Sequence, residues 1–145
     1  MISPSDDLAR FHSAQNSGTP TAFERALAEL QAGQKRSHWI WFVLPQLRGL
    51  GRSSMAQRYG ISGLAEARVY LADPLLRSRL ESVISVIGKQ LCVPGQSLEL
   101  LMGGELDATK TISCLTLFEG AGLRSAGVLL DQIGRRCGTT LEQIS

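Results

Sequence analysis

Cysteine and histidine are scarce in this chain of 145 residues. The three cysteines, Cys92, Cys114 and Cys137, are more than twenty residues apart, and their odd number excludes a framework of paired disulfides. We therefore expect small buried thiols in a reducing compartment. The two histidines, His12 and His38, have no carboxylate at metal-ligand spacing, so the sequence predicts no transition-metal site.

Long apolar segments are also missing from the sequence. The longest unbroken run, Trp39–Leu44, has six residues and stops at Pro45, whereas a membrane-spanning helix needs about 20. Residues 1–20 carry charged and polar side chains where a secretory signal would be apolar. These features predict a cytoplasmic protein that makes no membrane contact. A hydrophobic content of 43% excludes an intrinsically disordered chain.

Acidic residues are absent from one long stretch. The 36 positions between Glu29 and Glu66 contain no aspartate or glutamate, and we call them the acid-free stretch. It carries five cations, namely Lys35, Arg36, Arg48, Arg52 and Arg58. This asymmetry indicates a segment that faces an anion. The net charge of +2 and the pI near 8.6 are low for a dedicated nucleic-acid-binding protein, so nucleic acid is not the expected partner.

Helix signals recur along the chain, whereas alternating strand patterns do not. Capping residues are expected before five helices, at Ser5, Thr19, Ser62, Asp73 and Asp107. The signal at Asp73-Pro74 opens the clearest amphipathic helix, which we expect to be central and whose apolar stripe is Leu76, Leu80, Val83, Ile84 and Ile87. Residues 6–145 are therefore predicted to form a single all-α domain of about six or seven orthogonally packed helices. The run Trp39–Leu44 fits either a buried strand or a buried helix.

The acid-free stretch also holds side chains suited to binding and proton transfer. Residues 35–61 read KRSHWIWFVLPQLRGLGRSSMAQRYGI. His38 is the candidate acid–base catalyst, because histidine is the side chain that most readily changes charge near neutral pH. Trp39 and Trp41 have flat faces for stacking. Arg52 precedes Ser53, which would expose helix amides to an anion if it caps a helix.

Each of these residues also has a structural interpretation. The two tryptophans adjoin further apolar residues and fit a hydrophobic core. His38 fits a structural histidine, while Lys35 and Arg36 fit cations that complement the dipole of the preceding helix. The GLG segment at 49–51 lacks the third glycine of a dinucleotide-binding motif, and no cofactor is predicted.

Several segments together resemble the bacterial family catalogued as domain of unknown function 1810. They are RSHWIWFVLPQLRGLGRSSMAQRYGI, GLAEARVYLADPLLRSRL and DATKTISCLTLF, and the similarity covers most of residues 6–118. The sequence departs from the family over residues 88–106 and is only loosely similar to it after Phe118. The resemblance implies a compact, mainly α-helical, cytosolic protein, and it carries over no settled activity. It also implies that Gln46, Tyr59 and Lys110 belong to the family's recurrent residues, a polar set that suits an anionic ligand.

Two functions of different classes follow. The first is a pocket for an anionic or nucleotide-like small molecule, in which Arg36, His38 and Arg52 meet around one polar recess. The segment DPLLRSRLES is similar to NADAR-type domains, which process ADP-ribose adducts, and this extends the first function to ADP-ribose-related chemistry. The second is a non-catalytic module whose basic face binds an acidic protein or nucleic acid. The candidate ligand-binding residues are Lys35, Arg36, Trp39, Trp41, Gln46, Arg48, Arg52, Tyr59 and Lys110.

Overall fold

The computed structural model describes residues 7–145, which form an all-α structure, as the sequence predicts. The helices are α1 (Ala9–Gln15), α2 (Ala22–Gln31), α3 (Ile40–Val43), α4 (Ser54–Tyr59), α5 (Leu64–Ala72), α6 (Pro74–Leu91), α7 (Leu98–Met102), α8 (Glu105–Gly120), α9 (Arg124–Ile133) and α10 (Gly138–Ile144). The predicted count of six or seven is too low, since the described residues hold ten. The additional helices α3, α4 and α10 have only four to seven residues, too few to show a recognisable apolar stripe. Among the ten, none is long and apolar enough to cross a membrane.

Helix α6 begins where the sequence predicts. The Asp73 carboxylate accepts the backbone N–H groups of Leu75 and Leu76 at 3.1 and 3.0 Å, which pairs two donors at the helix start. All five residues of the predicted stripe are buried. The most enclosed helix is nevertheless α8, in which every residue from Thr111 to Phe118 is buried. The helix that is surrounded on all sides is therefore α8 and not α6, which leaves one face exposed.

The predicted start at Ser5 lies outside the described residues, and the other predicted helix starts are displaced by a few residues. Thr21, and not Thr19, caps α2: its hydroxyl accepts the Glu24 N–H at 3.1 Å, and the Glu24 carboxylate accepts the Thr21 N–H at 3.1 Å. This reciprocal pair satisfies two backbone donors at the start of α2. Helices α5 and α8 begin after Gly63 and Gly104, instead of after Ser62 and Asp107. Asp107 consequently lies within the first turn of α8.

The run that the sequence leaves open as strand or helix contains the short helix α3. The side chain of Gln15 on α1 donates to the carbonyl oxygen of Phe42 at 2.8 Å. The rings of Phe42 and Tyr59 lie 5.4 Å apart, so that α3 also packs against the end of α4. Trp39 directly precedes α3 and Trp41 lies within it, and the position of α3 therefore sets the position of both indoles.

The chain between α3 and α5 closes on itself at one isolated bridge. The Arg48 N–H donates to the Ile61 carbonyl at 2.7 Å, and the Ile61 N–H donates to the Gln46 carbonyl at 2.9 Å. A Cβ atom at Gly60 would lie 2.7 Å from the Arg48 Cα, so only glycine permits this approach. The bridge holds α4 against α3.

All three cysteines are free thiols. Cys114 on α8 is buried, as expected, and Cys137 is partly buried. Cys92, directly after α6, is exposed, and this corrects the expectation of three buried thiols. The exposed position follows from the end of α6, where the chain turns into solvent.

Candidate functional site

One carboxylate holds the segment that carries His38. Glu29 lies on α2, and its Oε1 accepts the N–H of Arg36 at 2.8 Å, the N–H of Ser37 at 3.0 Å and the indole N–H of Trp39 at 2.9 Å. Its Oε2 accepts the Ser37 hydroxyl at 2.5 Å. Burial by itself raises the pKa of Glu29, but these hydrogen bonds to the charged form outweigh burial and lower the pKa from 4.5 to about 2. Residues 36–39 are therefore fastened to α2.

Lys35 points into the protein. Its side chain is 6% exposed, its Nζ lies 2.9 Å from the Asp107 carboxylate, and it donates to the Ser37 carbonyl at 2.6 Å. The same ammonium lies 5.0 Å from the centre of the Trp39 ring. One positive charge of the acid-free stretch is thus paired with Asp107, which is distant in sequence. The Lys35 ammonium already has these partners in the protein without a ligand.

A recess of about 320 Å³ opens beside the start of α3 and is called the His38 recess here. This volume is typical of small-molecule sites, which range from about 300 to 1,000 Å³. Its lining includes Arg25, Ser37, His38, Trp39, Phe42 and Tyr59. Three of the site residues predicted from the sequence, His38, Trp39 and Tyr59, therefore share one recess.

The two nitrogen-rich side chains of this recess have no acidic partner. Within residues 7–145, no carboxylate oxygen lies within 4 Å of the charged nitrogens of Arg25 or the ring nitrogens of His38. Both residues are exposed, and Arg25 donates one hydrogen bond, to the Pro20 carbonyl at 3.2 Å. Trp39, in contrast, is 2% exposed and donates its N–H to Glu29. Trp39 therefore belongs to the core and has no free face for stacking.

A second, narrower recess also borders Tyr59, and we call it the Trp41 recess. Its volume is about 10 Å³, roughly the space of one water molecule, and its polar lining consists of Trp41, Gln46, Tyr59 and Lys110. The indole Nε1 of Trp41 is buried and has no hydrogen-bond acceptor among the described residues. The Lys110 ammonium lies 5.4 Å from the centre of the Trp41 ring. Four predicted site residues thus line a recess that does not include His38.

The remaining predicted cations lie outside both recesses. Arg36, Arg48 and Arg52 are exposed, and none of them lines the His38 recess or the Trp41 recess. Ser53 does cap α4, as expected, because its hydroxyl accepts the Ala56 N–H at 3.1 Å. The structure nevertheless does not bring Arg36, His38 and Arg52 around one recess, and the arginine beside His38 is Arg25.

Sequence reasoning missed Arg25 and Glu29. Both lie on α2, outside the acid-free stretch that directed attention to residues 35–61. They are four residues apart, and residues at this spacing share a helix face. Two features of the sequence could have indicated these residues: their spacing of four, and the position of Glu29 as the last acid before the acid-free stretch.

The donors of both recesses suit an anion better than a metal ion. In the part of the chain that the structure describes, no three side chains of His, Cys, Asp or Glu form a group that could hold a metal ion. The recesses instead contain guanidinium, ammonium, indole and amide nitrogens, which donate hydrogen bonds to oxygen.

Comparisons with known proteins place the chain in a family but give no activity. A family described as "Protein of unknown function (DUF1810)" matches residues 5–140. The chain is similar to the conserved hypothetical protein Rv1873 from Mycobacterium tuberculosis, known from a crystal structure, with 40% sequence identity and a TM-score of 0.84. The similarity covers 95% of this chain and 96% of that one. No curated protein matches the chain.

Proposed function

The chain belongs to the DUF1810 family of proteins of unknown function, and from this premise we propose that its His38 recess binds a small anionic molecule. One observation carries the proposal: Arg25 and His38 line the same recess, and neither has a carboxylate partner among the described residues. A guanidinium donates two parallel hydrogen bonds to a phosphate or carboxylate, and an imidazole adds a third donor. Unpaired donors of this kind favour an anionic ligand.

The recess is organised before the ligand binds. Glu29 holds residues 36–39 through four hydrogen bonds, so the backbone around His38 need not be ordered on binding. Binding to a preorganised site avoids much of the entropy cost of fixing a loop. Glu29 therefore supports the proposal as a positioning residue, although it does not itself meet the ligand.

The apolar wall of the recess favours a sugar phosphate over a stacked base. Phe42 and Tyr59 are 8% and 7% exposed, so little of either ring is open to a ligand. With Trp39 also buried, a nucleobase would find little surface on which to stack. In this proposal the phosphate lies at Arg25, and His38 is placed to exchange a proton with the sugar if the site is catalytic.

Thermal shift assays with ribose 5-phosphate, AMP and ADP-ribose test the proposal, with uncharged ribose as the control ligand. At a ligand concentration of about 100 times Kd, binding should stabilise the protein by about 2.7 kcal/mol. Replacing Arg25 with Gln should weaken binding roughly tenfold to a hundredfold, because it removes a charge-assisted interaction of about 1.5–3 kcal/mol. His38→Gln should also weaken binding, with the melting temperature of the free protein unchanged.

Arg36→Gln and Arg52→Gln are the matched controls, since both arginines are exposed and lie outside the recess. Binding should survive these substitutions. Equal losses from all four variants would indicate general attraction to a basic surface and would contradict a site at the His38 recess. Absence of saturable binding by every anion would contradict the proposal altogether.

A second candidate function is docking of an acidic protein segment on exposed arginines of the acid-free stretch. Arg48, Arg52 and Arg58 are exposed, and none has a carboxylate within 4 Å in residues 7–145. Polyglutamate binding at low and high salt tests this function, since exposed charge pairs are screened by salt. The triple change of these arginines to Gln should abolish such binding, whereas Arg25→Gln should not.

A further inference from the structure

We propose that anion binding at the His38 recess is coupled to protonation of His38, so that the site holds its ligand more tightly in mild acid than in mild base. This inference rests on the proposed function, because it needs an anion in that recess. Imidazole is the side-chain group that ordinarily changes charge between about pH 5 and pH 8. His38 therefore adds one positive charge, or none, to the permanent charge of Arg25.

The two histidines of the chain have different surroundings. His12 on α1 has a carboxylate partner, since its Nε2 lies 2.7 Å from an Asp73 side-chain oxygen. His38 is exposed at the recess, and no carboxylate of residues 7–145 lies within 4 Å of its ring nitrogens. An adjacent negative charge stabilises the charged imidazole. The described residues supply such a charge to His12, whereas at His38 a bound anion would supply it.

The charged groups on the elements that pack around His38 do not titrate in this pH range. Arg25 of α2 and Tyr59 of α4 line the same recess, and side chains of these two types ordinarily titrate above about pH 9. Glu29 of α2 stays ionised, because its pKa is about 2 and both of its oxygens accept from residues 36–39. The other residues that line the recess carry no charge.

The two cations next to His38 in sequence also leave the recess to Arg25. Lys35 is buried with its ammonium 2.9 Å from the Asp107 carboxylate, and Arg36 is exposed and does not line the recess. His38 is therefore the lining group whose charge changes between about pH 5 and pH 8.

The charge of Arg25 makes protonation of His38 depend on the ligand. In the empty recess the guanidinium opposes a second positive charge, and a bound anion attracts both groups. Since both line a space of about 320 Å³, one anion acts on both within about the 8 Å over which salt leaves charges unscreened. Anion binding must then draw a proton from solvent onto His38. By reciprocity, a proton on His38 must tighten anion binding to the same degree.

Sulfate is the probe for this coupling, because it keeps both negative charges over the whole range, whereas phosphate esters take up a proton near about pH 6. Its dissociation constant is measured by NMR titration against sodium chloride at equal ionic strength. The constant should be roughly five- to tenfold lower at about pH 5.5 than at about pH 8, because a charged donor holds an anion more strongly than a neutral one. The His38 ring signal should move to saturation, and the His12 ring signal should stay in place.

Three substitutions assign the effect to one side chain. His38→Gln should bind sulfate with the same affinity at both pH values, because the amide does not titrate. His12→Gln is the matched control, since it removes the other histidine, and the five- to tenfold ratio should persist in it. Arg25→Gln should weaken binding at both pH values.

The outcomes separate this inference from the proposed function. Saturable sulfate binding that requires Arg25 but has the same dissociation constant at both pH values would overturn the coupling and leave the proposed function intact. A pH dependence that persists in His38→Gln would also overturn the coupling. If only ribose 5-phosphate binds, equal pH ratios in wild type and His38→Gln would overturn it, because protonation of the ligand contributes equally to both. No saturable binding of either anion would overturn both proposals.

Discussion

The indole N–H of Trp39 donates to the Glu29 carboxylate at 2.9 Å and so joins α2 to the segment that begins α3. The same carboxylate accepts from the backbone of residues 36 and 37 and from the Ser37 hydroxyl. These donors stabilise the charged form of Glu29 in the folded protein, and the bonds are lost on unfolding. Folding stability must therefore depend on pH through this residue.

Replacing Glu29 with Gln should lower the free energy of unfolding at about pH 7 by roughly 1–3 kcal/mol, because a neutral amide accepts these bonds less strongly. The pKa of Glu29 is about 2 when folded and 4.5 as the ordinary value. A lowered folded pKa means that the contribution is complete above 4.5 and is lost as pH falls toward 2. Urea unfolding between pH 7 and pH 2 should therefore show the two proteins converging at the acid end.

Glu142→Gln is the control for this series, since Glu142 is exposed on α10. Its difference from wild type should stay within about 0.5 kcal/mol at every pH. A loss for Glu29→Gln that is equally large at pH 7 and pH 2 would contradict a role for the carboxylate charge.

The parts of the fold that depend on local chemistry could be predicted from the sequence. The cap at Asp73 and the stripe of α6 are set by neighbouring residues, and both are present in the structure. The short helices α3 and α4 depend on contacts with α1 and on the bridge at residues 47 and 61, which no local pattern reveals. Tertiary contacts decide such single-turn helices, because they are too short to be stable alone.

The candidate site could be predicted only in part for the same reason. The acid-free stretch does contain His38, Trp41 and Tyr59, which line the two recesses. Its charge balance is set by residues far away in sequence, since Asp107 pairs with Lys35 and Glu29 holds residues 36–39. Counting charges along the chain cannot reveal pairs that form only when α2 and α8 are brought to the stretch.

Lys35 should prove to be a structural residue. Lys35→Met leaves the Asp107 charge without its closest partner, and breaking a buried ion pair typically costs about 3–5 kcal/mol. We expect roughly 3 kcal/mol, since Asp107 is 23% exposed and regains some hydration. Chemical denaturation measures the loss, with the exposed Lys89→Met as the matched control. A stable Lys35→Met protein that fails to bind anions would instead assign Lys35 to the ligand.

The stripe of α6 should carry much of the stability of the fold. Leu80 is 1% exposed, and Leu80→Ala should lower the free energy of unfolding by about 2–5 kcal/mol through lost burial and a residual cavity. Leu75 lies on the same helix but is 43% exposed, so Leu75→Ala should cost within about 0.5 kcal/mol. Similar costs for both substitutions in urea unfolding would mean that the packing of α6 differs from the described one.

Cys137, which is partly buried, should react faster than Cys114, which is buried. Burial by itself raises its pKa, but hydrogen bonds from the Ser113 hydroxyl at 3.3 Å, from the Thr140 hydroxyl at 3.2 Å and from nearby backbone N–H groups lower the pKa below the ordinary value. Burial raises the pKa of Cys114 well above that value. In a Cys92→Ser background, iodoacetamide at about pH 7 should therefore label Cys137 and leave Cys114 unmodified in the folded protein.

Measuring the labelling rate at several pH values separates an effect on the pKa of the Cys137 thiol from an effect on the access of iodoacetamide to its sulfur. Ser113→Ala and Thr140→Val each remove a donor to the Cys137 sulfur, so each should raise its pKa and slow labelling at about pH 7. The rates should converge as the pH is raised toward 10, because a larger fraction of the thiol is then ionised in each variant. Peptide mass spectrometry of time points gives the rate at each pH. Variants that remain slower at pH 10 would show that the substitutions closed the path to the sulfur, and the assigned hydrogen bonds would then not be the cause.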